Sequence, residues 1–216
     1  KARMTLLAAI IQREFAAVLL LLGLGIWAIA TCMYAFATAN DPLIEVLEDL
    51  IVYSHLVMGT LFYLYVLVNF HPLFTKQMAV HKVVFKPINL PIYVFRIVAL
   101  IVLMGLFSMK SFFIIYQTWA GFYNALGDNA VANQDYTFAE ITYKQALGKE
   151  YRNHKTNYAL ASLALWQNDN ETAAFYFKRA LEKNPSPFAY EGLARSFADR
   201  EKVFDALFVL KEGLTH

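Results

Sequence analysis

Residues 90–127 read LPIYVFRIVALIVLMGLFSMKSFFIIYQTWAGFYNALG. From Ile92 to Leu126 there is no proline, no turn dipeptide and no cluster of Ser, Asn or Asp. Gly105 and Gly121 stand singly, each tolerable in a helix at about 1 kcal/mol relative to Ala. The first part is apolar enough for lipid, whereas the last part brings in Asn124 and, just beyond, Asp128. The stretch predicts one rod of about 40 residues and roughly 60 Å, running from a bilayer into water. Its breaker comes at Asn133-Gln134-Asp135. Lys110, Gln117 and Trp119 would mark the outer interface, with Phe112, Phe113 and Tyr116 in an aromatic belt.

Composition divides at the same place. The whole chain is 58% hydrophobic and 17% charged over 216 residues, against roughly 25% charged for soluble domains, and its mean hydropathy is +0.41. The deficit is confined to residues 1–119, which hold 8 Lys/Arg and 5 Asp/Glu; residues 120–216 hold 11 and 12. We therefore expect a membrane domain over 1–119 and a domain of soluble composition over 120–216. A net charge of +2 does not suggest a nucleic-acid binder, and the single Cys32 excludes a disulfide framework.

Two further uncharged runs, 15–40 and 50–75, exceed the roughly 20 residues needed to cross a bilayer core. The expected spans are about 15–39, 50–74 and 90–109. In the last frame Arg96 snorkels to one surface and Lys110 sits at the other. A frame of 97–119 would instead place Lys110 near mid-bilayer, at about 2.5–3.5 kcal/mol, and make it functional. The first connection carries Asp41, Glu45, Glu48 and Asp49 and no base; the second carries Lys76, Lys82, Lys86 and Arg96, plus His81, and no acid. Because bases near spans stay cytoplasmic, the expected topology puts everything after residue 120 outside the cytoplasm. Lys76, Lys82, Lys86 and Arg96 are topogenic, with anionic-lipid recognition as the functional alternative. Ser54, His55, Asn69 and His71 are polar positions in or near the second span. His55 and His71 lie about 24 Å apart along a helix and cannot share one site, so interfacial hydrogen bonding is the expected role. Gly23, Gly25, Gly59 and Gly105 read as helix-packing positions.

Beyond residue 120 the chain repeats itself. Ala139, Tyr143 and Ala146 recur as Ala173, Phe177 and Ala180, then as Ala206, Leu210 and Gly213, at intervals of 34 and 33 residues. Tyr123, Leu126 and Gly127 precede the first set, Leu160 and Ala161 the second, and Tyr190, Leu193 and Ala194 the third; Asn184-Pro185 falls at a repeat end. This pattern resembles the tetratricopeptide repeat family over residues 120–216, as repeats 120–153, 154–186 and 187–216. Tyr151 stands where a closing Pro would be, and Asn157 replaces a large aromatic. The resemblance implies an all-α fold: three transmembrane helices, then a tetratricopeptide-like solenoid of about three helical hairpins. It also implies a groove lined by first helices that binds partner proteins, placing Asn124, Asp128, Tyr158, Ser162, Trp166, Glu191 and Arg195 there. The bland reading of these seven is solvated surface. The paired Lys and Asn positions with which some family members clamp a carboxylate tail are not present.

No glycine-rich phosphate loop, metal-spaced cluster or nucleophile–base pair stands in the sequence, so no cofactor, no metal site and no catalytic residue is expected. The expected function is an assembly or scaffold subunit of a larger complex in the bacterial inner membrane, binding other subunits or an extracytoplasmic protein, in contact with lipid and not with nucleic acid. The alternative is the C-terminal part of a polytopic membrane enzyme, for example a glycan-transferring one, whose catalytic region precedes Lys1. The Lys1 start leads us to expect a missing initiator or upstream segment.

Overall fold

The computed structural model describes the backbone of residues 2–76 and 90–215, with side chains described outside 2–14, 72–76 and 110–113. Among these residues every regular element is helical: α1 (Ala2–Ala37), α2 (Asp41–Lys76), α3 (Ile92–Ala132), α4 (Tyr136–Lys149), α5 (His154–Trp166), α6 (Asn170–Lys183), α7 (Pro187–Ala198) and α8 (Val203–Gly213). Three stretches are long and apolar enough to cross a membrane: Phe15–Ala37, Asp41–His71 and Ile92–Met109.

α2 begins nine residues before the span expected from residue 50. Asp41-Pro42 opens it, a position where proline loses no helical bond and acids suit the helix dipole. The Asn40 carbonyl accepts from the Leu43 and Ile44 amides, both at 3.0 Å. The acids read as a loop are therefore the first turns of a helix. Ala39, at φ 48°, makes the left-handed turn that ends α1.

α2 and α3 pack along their length through Tyr53 on Phe107, and Phe62 and Tyr65 on Phe95. At the far end Asn69 clasps the backbone of Leu90, donating to its carbonyl (3.2 Å) and accepting from its amide (3.1 Å). Among the polar residues of the second span, Asn69 thus ties the start of α3, while Ser54 and His55 bond locally to the Ile51 carbonyl. α1 touches α2 only sparsely.

α3 is one helix of 41 residues, as the absence of breakers predicts. It ends where expected: Asn133 caps it, Gln134 takes φ 63°, and Asp135 accepts from the Phe138 amide to start α4. The upper part of α3 pairs with α4, α5 with α6, and α7 with α8. The turn within each pair uses a left-handed residue, Gln134, Asn168 and then Glu201, spaced like the sequence repeat. Asp169 caps α6 as Asp135 caps α4; Lys202, in the third pair, provides no side-chain cap.

Tyr143, Leu160 and Leu163 form one core with Ala130 and Ala139, and Phe177, Tyr190 and Leu193 center a second. Gly127 gives room to the Tyr143 ring and Gly192 to the Phe177 ring; a Cβ at either would collide with the aromatic. In α8 the pattern weakens, for Ala206 is buried but Leu210 is 43% exposed, because no described helix packs over its outer face.

Candidate functional site

The α1–α2 turn is inserted into the base of the helical pairs through a buried polar junction. Asn40 donates to the Gly121 carbonyl (3.0 Å), and Asn124 donates to Asn40 Oδ1 (3.1 Å). Thr156 in turn donates to Asn124 Oδ1 (2.6 Å). All three side chains are fully enclosed, and Leu43 lies against Gly121 closely enough that a Cβ there would crowd it. This chain links the α1–α2 turn, α3 and α5.

Charges surround it. The Asp41 carboxylate accepts from the backbone amides of His154 and Lys155, both at 2.9 Å, and so caps α5 from 113 residues away, where a helix N-terminus favours an anion. Lys183, in the last turn of α6, reaches Asp41 (2.8 Å), Glu45 (2.7 Å) and Glu150 (3.0 Å). Gln117 donates to Glu45 at 2.6 Å. Burial pulls the Lys183 ammonium down, but the hydrogen bonds to Asp41 and Glu45 and the surrounding negative charge outweigh it, so it titrates above the usual lysine range. Burial pushes Glu150 up, against the opposing pull of Lys183.

Asp128 is the second anchor. It accepts from Tyr34 of α1 and Tyr143 of α4, both at 2.7 Å, and pairs with Lys155 at 3.0 Å. Burial, then the hydrogen bond and charge of Asp128, push the Tyr143 phenol up. The two departures from the repeat pattern also bind the array. Asn157 is enclosed and donates to the Asn153 carbonyl (2.6 Å). The Tyr151 ring carries the Arg179 guanidinium 3.4 Å from its centroid, while Arg179 donates to the Tyr151 carbonyl (2.8 Å).

The seven groove residues divide accordingly. Asn124 is enclosed, and Asp128 is committed to Tyr34, Tyr143 and Lys155, so both serve the junction. Tyr158 is half-buried, edge-on to Phe177 at 5.7 Å. Ser162, Trp166, Glu191 and Arg195 are exposed. Trp166 is 63% exposed and lies tilted against Tyr136 with centroids 4.3 Å apart. A cleft of about 640 Å³ between α6, α7 and α8, lined by Lys178, Leu193, Phe197 and Phe208 among others, contains none of the seven. Arg96 is exposed near the start of α3; Lys82, Lys86 and the side chains of Lys76 and Lys110 lie outside the described residues. Among the described residues no three His, Cys, Asp or Glu side chains are grouped to hold a metal ion.

Sequence reasoning took Asp41 and Glu45 only for acids of the first connection and missed the junction. A legible signal was Asn40-Asp41-Pro42 itself, a capping sequence directly after an apolar span. The chain matches no protein-family model, and no curated protein is significantly similar to it.

Proposed function

We propose that this protein is a membrane-anchored scaffold subunit, holding a tetratricopeptide-like array of about three hairpins at a set height over the bacterial inner membrane. In this reading the array lies outside the cytoplasm and recruits other subunits of an envelope complex. The topology is supported by the charge asymmetry between residues 41–49 and 76–96. The repeat assignment is supported by the 34- and 33-residue spacing in both sequence and turn geometry. A catalytic assignment finds no comparable support among the described residues.

The observation that carries the binding role is the exposed Trp166 ring, set against the half-buried Tyr136 on helices fastened to the membrane-spanning part. A large aromatic left in water on a rigid support is a common interface anchor. Glu191 and Arg195, one turn apart on α7, add exposed charge for specificity. The test is purification from native membranes of the Trp166→Ala, Arg195→Glu double variant. Both side chains are exposed, so the fold should persist while a co-purifying subunit is lost. Retention of the wild-type set of subunits would count against this surface and direct attention to the spans.

A further inference from the structure

One end of the helical array is held beside the end of the first candidate span. Two independent features mark the level of that span end. The apolar run of α1 ends at Ala37, just before the Thr38–Asn40 turn. On α3, Trp119, Phe122 and Tyr123 form an aromatic cluster with centroids 5.9–6.0 Å apart, the residue type that concentrates at headgroups. The Asn40–Gly121 hydrogen bond holds the two side by side.

The array has two ends. The turns within pairs, 133–135, 167–169 and 199–202, lie at one; the connections between pairs, 150–153 and 184–186, and the end of α8 lie at the other. The second end carries the described contacts of the helical pairs to the Asp41 side chain: the His154 and Lys155 amides and the Lys183 ammonium. Lys149, also at that end, lies 5.9 Å over the Tyr116 ring of α3. The α4–α5 connection and the last turn of α6 therefore stand near Tyr116, one turn before the aromatic cluster, and the rest of the rim continues from them.

We infer that the rim formed by Tyr151, Arg152, Phe188 and Leu214 rests in the lipid headgroups of the leaflet it faces. Phe188 is 68% and Leu214 88% exposed, and Tyr151 and Arg152 are exposed at the same end. Apolar tips flanked by an exposed arginine match the boundary between acyl chains and phosphates, where ring and methyl groups leave water and the guanidinium pairs with phosphate. The opposite end presents Asp135, Asp169, Asp199 and Glu201 to solvent beside Arg200 and Lys202, so its exposed charge is net acidic, and it carries less attraction for phosphates. Lipid contact would give the array a second support and resist rocking about α3. It does not depend on the scaffold reading.

The test uses the full chain with Cys32→Ser and single cysteines at Arg152, Phe188, Leu214 or Phe204, each labelled with an environment-sensitive fluorophore. The proteins are reconstituted in phosphatidylethanolamine–phosphatidylglycerol vesicles with or without lipids bearing a nitroxide near the headgroup. Phe204 is the control, apolar and 88% exposed but at the far end. Labels at 152, 188 and 214 should be quenched roughly twofold or more relative to 204, as expected for interfacial depth. Because the three positions lie on separate segments, failure of one variant to fold leaves two readings. Rim labels quenched no more than the one at 204 would overturn the assignment. So would a blue-shifted label at 188 that lipid nitroxides do not quench, since a protein would then cover the rim.

Discussion

Lys183 meets three carboxylates within 3.0 Å while most of its side chain is out of solvent. The cluster is partly buried, so removing Lys183 should cost about 1–3 kcal/mol, less than the roughly 3–5 kcal/mol of a fully buried ionic pair, because solvent still reaches some of the charges left behind. Lys183→Met should therefore lower the unfolding temperature in detergent, and the loss should depend on pH. Glu150 already has a raised pKa, and Lys183 is the group that lowers it. A raised carboxyl favours folding fully below its unfolded pKa and loses that contribution as pH rises through the folded value. The variant should thus be weakest near about pH 8 and recover partly toward about pH 5. A deficit of equal size at both would show that these acids do not set it. At the neutral part of the junction, Asn124→Ala strands Asn40 and Thr156 in an enclosed space, at about 1–3 kcal/mol. Thr156→Val added to it should cost less than its own single effect, since the stranded hydroxyl goes too; strict additivity in chemical denaturation would mean the two do not share one network.

At the scale of elements, α3 is decided by local chemistry and its neighbours by packing. Nothing from Ile92 to Leu126 interrupts a helix, and the rod runs as that predicts. Gly127 and Gly148 give a paired test. A methyl at Gly127 meets the Tyr143 ring, whose hydroxyl is held by Asp128. Gly127→Ala should therefore destabilise by about 1–3 kcal/mol through overpacking. Gly148 lies in α4 with open space about it, so Gly148→Ala should stabilise by about 0.5–1 kcal/mol. Denaturation midpoints moving in the same direction for both would refute the close-packing account of Gly127. The early start of α2 shows the opposite case. The acids after Asn40 suggest a loop on composition alone, but Pro42, the dipole and contacts to α3, α5 and α6 make residues 41–49 helical.

For the whole molecule, orientation and rigidity are the testable properties. Glu48 is exposed in the second turn of α2. A cysteine there should react with a membrane-impermeant thiol reagent in intact cells, while a cysteine at Lys82 should be protected. Labelling at 82 with protection at 48 would place the helical array in the cytoplasm. Inserting two residues after Lys110 should turn the upper rod by about 200°, at about 100° per residue. Gln117, Gly121 and Asn124 would then leave Glu45 and Asn40, so the array should detach from the spans and gain protease sites between α3 and α5. Wild-type protease resistance after that insertion would mean the junction does not fasten the array.

Apolar runs, breakers and repeat spacing are properties of neighbouring residues, and they alone determined the three candidate spans, the unbroken rod and the 34- and 33-residue period. Leu160, Phe177 and Leu193 are buried where that period puts them. Tyr151 and Asn157, which break the pattern, find their purpose only in space, as an arginine shelf and a backbone clasp. The family resemblance places Asn124 and Asp128 in a groove, yet the α1–α2 turn encloses Asn124 and Tyr34 of α1 bonds to the half-buried Asp128. Asp41 caps a helix that begins 113 residues later. No local pattern encodes such a partner, because a polar side chain's worth depends on which donors and charges folding brings within about 3 Å of it, and that was decided by the tertiary structure.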